Sequence, residues 1–251
     1  MPQIKIRSRG FKVAIAGDGS DEQFGGYARL VYAIADSDST WLARYLDRLA
    51  VLPLGSRTEL YSPEFWQLLQ SSGDCASAMR NMVREPGSKG RLQNLIDFEL
   101  YKRFPYFTLR RVDHLSMAHG VEVRVPFCQP RITDLARSFA DSLKIEGLEA
   151  KRVVLSAGMG VVPREILARP KQGFMLPIEF MLRVGERLFD FVADVVLSAS
   201  SKQRGILQSD RVADLVDKQR TEPRIGIAMV LWALMILEIW LSQQKRHATI
   251  Q

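Results

Sequence analysis

The sequence predicts an α/β fold in which helices predominate. Residues 11–16 (FKVAIA) form a short apolar run broken by Gly17 and Gly19, a pattern typical of a parallel strand buried on both faces. From Tyr27 onward, apolar residues recur at helical spacing over most of the chain. One strand cannot form a sheet, so we expect the strand at 11–16 to need partners that the chain does not encode. Without them it should lie at an exposed sheet position.

A helix is predicted directly after this strand. Ser20 is a suitable N-cap, and Gln23 follows three residues later, at capping-box spacing. Asp21 and Glu22 fall in the first turn, where they complement the helix dipole.

Further along the chain, residues 121–125 alternate Val-Glu-Val-Arg-Val before Pro126, which predicts an extended segment with Glu122 and Arg124 on one face. The segment 198–205 (SASSKQRG) predicts an exposed loop. Apolar periodicity predicts the remaining helices over 27–35, 41–50, 65–69, 92–103, 107–119, 132–140, 151–157, 177–197, 209–218 and 225–243.

Composition favours a soluble, cytoplasmic protein, and a length of 251 residues allows one large domain or two small ones. The formal charge is +7, but Lys and Arg are scattered and no recognition motif accompanies them, which argues against nucleic acid as a partner. Cys75 and Cys128 stand far apart without metal-ligand spacing and are interpreted as reduced thiols. The apolar run 225–241 is short for a bilayer span and contains Glu238, so we interpret it as a buried helix and expect no membrane association.

The glycine-rich turn after the first strand is the first candidate site. Glycines there let a ligand approach the backbone, and a helix N-terminus favours anions. Asp18, Asp21 and Glu22 would repel a bare phosphate, a conflict that a bridging Mg²⁺ would resolve, since Mg²⁺ takes one or two carboxylates plus phosphate oxygens. The alternative is a capped turn whose acidic residues only complement the dipole.

Two further segments contain polar residues where chemistry could occur. Glu122 and Arg124 follow a predicted helix stop and could project into a cleft, or could form a salt-bridged helix end. Lys171 lies between Pro170 and Gly173 on a shaped loop, where it could stabilise charge on a phosphate or could belong to a basic surface turn.

These segments, in this order, resemble asparagine synthetases and their amide-forming relatives, the β-lactam synthetases and lasso-peptide cyclases. The family patterns are approximately S-G-[DE]-G-[GS]-D-E-x-F-G-G-Y, V-D-R-x-S-M-A-x-G-x-E-V-R-V-P-F-L-D and R-P-K-x-G-F-x-x-P. The chain reads AGDGSDEQFGGY, VDHLSMAHGVEVRVPFCQ and RPKQGFMLP at the corresponding places. The resemblance covers nearly the whole chain after the first ten residues.

The resemblance implies that residues 1–251 are the C-terminal part of an adenine nucleotide α-hydrolase-like (ATP-pyrophosphatase) synthetase domain. It implies that ATP activates a carboxylate as an acyl-adenylate, which an amine, usually ammonia from glutamine, then attacks. It assigns Mg²⁺ binding to Asp21, a position near the amine to Asp18 and transition-state stabilisation to Lys171. It places Glu122 and Arg124 at the acceptor side, and Gly17, Gly19 and Ser20 against substrate or ATP.

The family's glutaminase domain and its S-G-G-x-D-S pyrophosphate loop have no counterpart in these residues. The chain also departs from the family at four positions: Gln129 replaces an Asp, His114 an Arg, Met181 a Trp that follows the third motif, and Leu155 the basic residue of a further pattern, K-x-x-L-[RK]-x-A. We therefore expect a separately encoded glutaminase and ATP-binding partner chain. A truncated inactive copy and a helical interaction module remain as alternatives. We also expect Asp21 and Lys171 to face one shared cleft, with Asp18 on its wall and Glu122 or Arg124 at its mouth.

Overall fold

A computed structural model of the chain describes residues 2–73, 75–83, 90–169, 173 and 177–248. Residues 1–45 and 76–170 form one compact unit, and residues 46–75 and 171–251 form a second. The first unit contains the strands and the glycine-rich turn. The second unit is helical apart from an isolated bridge between Tyr61 and Leu207.

Helices make up most of the described chain. In chain order they are α1 (Pro2–Ser8), α2 (Ser20–Phe24), α3 (Ala28–Ala35), α4 (Trp41–Asp47), α5 (Leu54–Leu60), α6 (Pro63–Ser72), α7 (Cys75–Val83), α8 (Arg91–Asp97), α9 (Arg110–Met117), α10 (Pro130–Ser138), α11 (Asp141–Lys144), α12 (Arg152–Gly158), α13 (Arg164–Leu167), α14 (Ile178–Met181), α15 (Arg187–Val196), α16 (Ala199–Gln203), α17 (Ser209–Thr221) and α18 (Ile225–Ala248).

Two small sheets belong to the first unit. β1 (Val13–Ile15) and β2 (Glu122–Arg124) are parallel, with Val13 opposite Glu122 and Ile15 opposite Arg124. β3 (Ile145–Glu146) and β4 (Glu149–Ala150) form an antiparallel hairpin. Both extended segments expected from the sequence are therefore confirmed.

The environment of β1 agrees with expectation in one respect and differs in another. The expected exposure of the strand is confirmed, since Ile15 is 77% exposed and Val13 is 41% exposed. The expectation that all its partners lie outside the chain is wrong, because residues 121–125 return to pair with it. A buried strand needs cover on both faces, and the described residues cover only one.

A continuous helical segment runs from α8 to α9. Between these helices the backbone widens into two π-helical stretches, Phe98–Arg103 and Pro105–Leu109. Pro105 has no N–H to donate and its ring crowds the preceding turn, which accounts for the departure from regular α-geometry there. The predicted helices over 92–103 and 107–119 are confirmed as helical, but the sequence periodicity did not distinguish the π-turns.

The first unit contains a buried charge network. Glu99 is 1% exposed, and Arg29 donates to both of its carboxylate oxygens at 2.6 and 2.9 Å. The Tyr45 hydroxyl and the Arg103 guanidinium also donate to Glu99, each at 2.5 Å. Burial alone would raise the pKa of Glu99, but these hydrogen bonds and the positive charges of Arg29 and Arg103 hold it below its ordinary value.

Two predictions about the second unit are wrong. The single helix expected over 177–197 is two helices, α14 and α15, and Gly185 between them has a positive φ of 88°. The segment 198–205, expected to be an exposed loop, contains α16. The Ser198 hydroxyl caps this helix by accepting the Ser201 N–H at 3.2 Å, and Ser201 is buried.

The core of the second unit is assembled on α18. Ala228, Leu231 and Leu234 are buried against α14, α15 and α17. By length and composition alone, Ile225–Gln244 could cross a membrane. Its mean hydropathy is 2.1, and 28% of this segment is buried inside the protein. Core helices of water-soluble proteins meet the same criterion, and Trp240 on this helix is 54% exposed. The expected helix is confirmed, but only one of its faces is buried.

Candidate active site

The glycine-rich turn and the segment after β2 lie at the same edge of the sheet. Because β1 and β2 are parallel, their carboxyl ends meet there. The Gln23 side-chain amide donates to the Phe127 carbonyl at 2.5 Å, and the Cys128 thiol lies 3.8 Å from the Asp18 carbonyl. Two sequence motifs separated by about a hundred residues are thus joined into one structure.

The turn is shaped by Gly19, which has a φ of 93°. A side chain at this position would be strained, and its Cβ would lie 2.7 Å from the Cys128 Sγ. Gly19 is the N-cap of α2, and its N–H donates to the Glu22 carboxylate at 3.1 Å. The predicted cap at Ser20 with Gln23 is therefore wrong by one residue.

Glu22 is held in place from two sides. In addition to Gly19, the Tyr27 hydroxyl donates to its carboxylate at 2.5 Å, and Glu22 is 4% exposed. Burial raises the pKa of Glu22, although the hydrogen bond from Tyr27 partly offsets this. The role of Glu22 is therefore to fix the turn.

Asp21 points towards Lys151. The Lys151 ammonium lies 2.7 Å from Oδ1 of Asp21, and both side chains are less than a quarter exposed. Lys151 precedes α12 and has a left-handed backbone conformation, with φ 56° and ψ 28°. A non-glycine residue in this region is uncommon, and such strain persists only where the surroundings stabilise it.

The donor set around Asp21 can be compared with the needs of Mg²⁺. Among the described residues no group of three or more His, Cys, Asp or Glu side chains could hold a metal. Mg²⁺ with a nucleotide needs only one or two carboxylates, because phosphate oxygens and water complete its coordination. Asp21 fits that role, and the ammonium of Lys151 would compete with the ion for Oδ1.

Glu122 and Arg124 lie together on the exposed face of β2, as expected. Arg124 donates to Glu122 at 2.8 Å, and both side chains are more than half exposed. This hydrogen bond from Arg124 lowers the pKa of Glu122. In register, Val13 and Ile15 occupy the same face, so the sheet presents a surface that is half apolar and half charged.

The remaining predicted residues are placed as follows. Gly17 is exposed, Asp18 is half-buried and Ser20 is buried, all in the turn after β1. Lys171 lies outside the described residues, so the expected shared cleft with Asp21 stays a prediction. Lys151 was not selected as a site residue from the sequence. It begins the stretch that corresponds to the family pattern K-x-x-L-[RK]-x-A, and this pattern was the signal that could have identified it.

Comparison with known proteins places the chain in a family. The description of that family is asparagine synthase, and its profile matches residues 4–242. The chain therefore belongs to the asparagine synthase family, as its motifs suggested.

The curated relatives are longer proteins. The glutamine-hydrolysing asparagine synthetase 1 of Bacillus subtilis is 26% identical, over 94% of this chain and 41% of its own length. The amidase chry2 of Gibberella zeae is 23% identical, over 84% of this chain and 39% of its own length. A glutamine-hydrolysing asparagine synthetase of Gallus gallus is 35% identical over a shorter stretch, 30% of this chain. No solved structure matched. The chain spans about two fifths of the length of the first two relatives.

Proposed function

We propose that the chain forms the acceptor-side part of an ATP-dependent amide ligase of the asparagine synthase type. In this proposal it acts with a separate polypeptide that carries the glutaminase and the ATP-binding loop. The observation that carries the proposal is the joining of two family motifs at one sheet edge, seen in the contact of Gln23 with the Phe127 carbonyl and of Cys128 with the Asp18 carbonyl. Such an edge, at the carboxyl ends of parallel strands, is where α/β proteins bind ligands.

The proposed reaction has two steps. A substrate carboxylate oxygen attacks the α-phosphate of ATP, forming an acyl-adenylate and releasing pyrophosphate. Ammonia from glutamine hydrolysis then attacks the acyl carbon, which yields the amide, AMP and a proton. We expect this to take place in the cytoplasm, with an adenine nucleotide α-hydrolase-like fold completed by the partner and residues 1–251 as one domain of that assembly.

Residue roles follow from the family motifs. Asp21 would hold Mg²⁺, which neutralises phosphate charge. Asp18 would lie near the attacking amine, and Lys171 would stabilise negative charge as pyrophosphate departs. Arg124, through its charge, would bind the carboxylate or the nucleotide together with Gly17, Gly19 and Ser20, and Glu122 would act from the acceptor side.

The sheet offers a surface for the partner. Within the described residues β1 pairs only with β2, so its other edge has free backbone groups. The exposed side chains of Val13 and Ile15 lie on the adjoining face. We expect a strand of the partner to pair with β1 and its neighbouring elements to cover this face.

The test is ATP–pyrophosphate exchange, measured with the chain alone, with the partner alone and with both. The partner is a polypeptide from the same genome that contains an S-G-G-x-D-S loop and a glutaminase domain. We expect exchange only with both chains, because the loop that cradles pyrophosphate is supplied by the partner and losing one preorganised donor costs about 3 kcal/mol.

Asp21→Asn in the joint assay should abolish exchange. Glu165→Gln, at an exposed position of the same unit, serves as the matched control and should leave exchange unchanged. A stoichiometric complex without exchange would overturn the proposal and favour the interaction module. Exchange by the chain alone that Asp21→Asn abolishes would overturn the need for a partner.

A further inference from the structure

A cavity of about 520 Å³ lies within the second unit, between α15, α16 and α18. Its volume is in the range of small-molecule sites. Phe191, Val195 and Ile239 provide apolar walls, while Asp194 and Glu238 provide carboxylates. None of these residues belongs to the motifs of the proposed active site.

Glu238 is the unusual member of this cavity. It is 2% exposed, and one carboxylate oxygen, Oε2, accepts a hydrogen bond from Arg204 Nε at 2.8 Å. Arg204 also donates to the Ser242 hydroxyl at 2.9 Å, and that hydroxyl donates to the Glu238 carbonyl. The other carboxylate oxygen, Oε1, is buried and has no hydrogen-bond partner among the described residues.

A buried carboxylate oxygen without a donor is costly, so such groups in native proteins are nearly always satisfied. Arg204 balances the negative charge of Glu238. Asp194, on the exposed side of α15, adds a second negative charge, and no described residue that lines the cavity is a cation. The site therefore has a net charge of about −1 together with a missing hydrogen-bond donor. A primary ammonium supplies both a positive charge and three N–H donors.

We propose that this cavity binds a small primary amine in its ammonium form, with an apolar body against Phe191 and Ile239 and its charge towards Glu238 and Asp194. The inference goes beyond the proposed ligase activity, because it concerns a second site in the other unit. Its failure would leave that activity unaffected.

The test is isothermal titration of the intact chain with benzylammonium, compared with benzyl alcohol at the same ionic strength. The two probes share an apolar body of nearly equal size and differ in charge. We expect saturable 1:1 binding of benzylammonium, and binding of the alcohol at least about tenfold weaker because it lacks the charge. Equal affinities, or no saturable binding of the amine, would overturn the proposal.

Variants locate the site. Asp194→Asn should weaken benzylammonium binding by about threefold, a change of the size expected for a partly exposed charge. Asp190→Asn is the matched control, since Asp190 lies one turn earlier on α15, is exposed and does not line the cavity. An equal effect of the two variants would mean that the amine is attracted without a specific site, contrary to the proposal.

Glu238→Gln should weaken binding by about tenfold or more. Because this change also leaves Arg204 without its carboxylate, the folded state of the variant is verified by circular dichroism. Ser200→Phe gives an independent result, since Ser200 is exposed and lines the cavity, so that a phenyl ring there should block binding while Glu238 is retained. Unchanged binding in a folded Ser200→Phe variant would contradict the assigned location.

Discussion

The Lys151 ammonium lies 2.7 Å from Oδ1 of Asp21, so the carboxylate that the family motif assigns to Mg²⁺ is paired with a lysine of the same unit. Lys151 approaches from a left-handed backbone conformation, and Gly26 lies directly beside the pair. This arrangement fixes the direction of Asp21 before any ligand binds.

Gly26→Ala should disturb this pair. A Cβ at residue 26 would lie 1.9 Å from Asp21 Oδ1 and 2.4 Å from Lys151 Cε, so at least one side chain must move. We expect the free energy of unfolding to fall by about 2 kcal/mol, which is typical of overpacking. The measurement is urea denaturation followed by circular dichroism.

Gly17→Ala is the matched control for that change. Gly17 lies in the same motif, before α2 and not after it, but a Cβ there would meet nothing within 4 Å, and neither glycine has a positive φ. The control should unfold at nearly the same urea concentration as the parent chain. Equal unfolding midpoints for the two variants would show that the Asp21–Lys151 pair tolerates displacement.

Sequence periodicity predicted most helices and both strands of the first sheet because these features are local. The pairing of β1 with β2 was not predicted, since it joins segments about a hundred residues apart and no local pattern encodes it. The break at Gly185 was missed because apolar spacing continues on both sides of it. Polar composition made 198–205 resemble a loop, whereas the Ser198 hydroxyl caps a helix there.

For the candidate site, the sequence predicted the motif residues but not the partner of Asp21. The motifs identified the turn at Asp18 and Asp21 and the strand with Glu122 and Arg124 without any structure. The partner of Asp21 was not predictable from spacing, because Lys151 is separated from it by 130 residues and reaches it through an uncommon backbone conformation.

Glu99→Gln should destabilise the first unit. The substitution removes the charge that Arg29 and Arg103 share inside the protein, and breaking a buried pair in this way typically costs about 3 kcal/mol. The pKa of Glu99 is held below its ordinary value of 4.5, so the stability it provides is fully present above that pH and is lost as pH falls through the folded-state pKa.

The difference in unfolding free energy between the parent and Glu99→Gln should therefore be large near neutral pH and shrink as the pH falls below the ordinary pKa value of 4.5. Urea denaturation over a pH series measures it. Glu165→Gln, at an exposed glutamate, should show no such difference at either end of the series. If the difference in unfolding free energy between the parent and Glu99→Gln stays constant with pH, packing and not charge explains the effect.

Ser62→Ala should destabilise the second unit. The Ser62 hydroxyl accepts the Phe65 N–H at 3.1 Å as the N-cap of α6 and donates to the Gly205 carbonyl at 2.5 Å. Loss of the cap costs about 1 kcal/mol, and the unsatisfied carbonyl adds to this.

Ser72→Ala tests the opposite end of the same helix. Ser72 is exposed in the last turn of α6, and alanine has the better helix propensity, so stability should be unchanged or slightly higher. In thermal unfolding, the melting temperature of Ser62→Ala should therefore lie below that of the parent chain. The melting temperature of Ser72→Ala should equal or slightly exceed it. Coincident melting temperatures would contradict the assigned capping role.

The free edge of β1 should make the isolated chain self-associate. Exposed strand edges pair readily with other strands, and Phe11 and Ile15 next to this edge are 63% and 77% exposed. Ile15→Lys should shift the chain towards monomer in sedimentation velocity, because it places a charge beside Arg124 and removes apolar surface from the edge.

Val161→Lys removes a valine that is 83% exposed but lies outside the sheet, so it adds the same charge without altering the edge and should leave association unchanged. An equal reduction by both variants would attribute association to overall charge. A parent chain that stays monomeric at all concentrations would show that this edge resists pairing, which would also remove the physical basis for partner docking at β1.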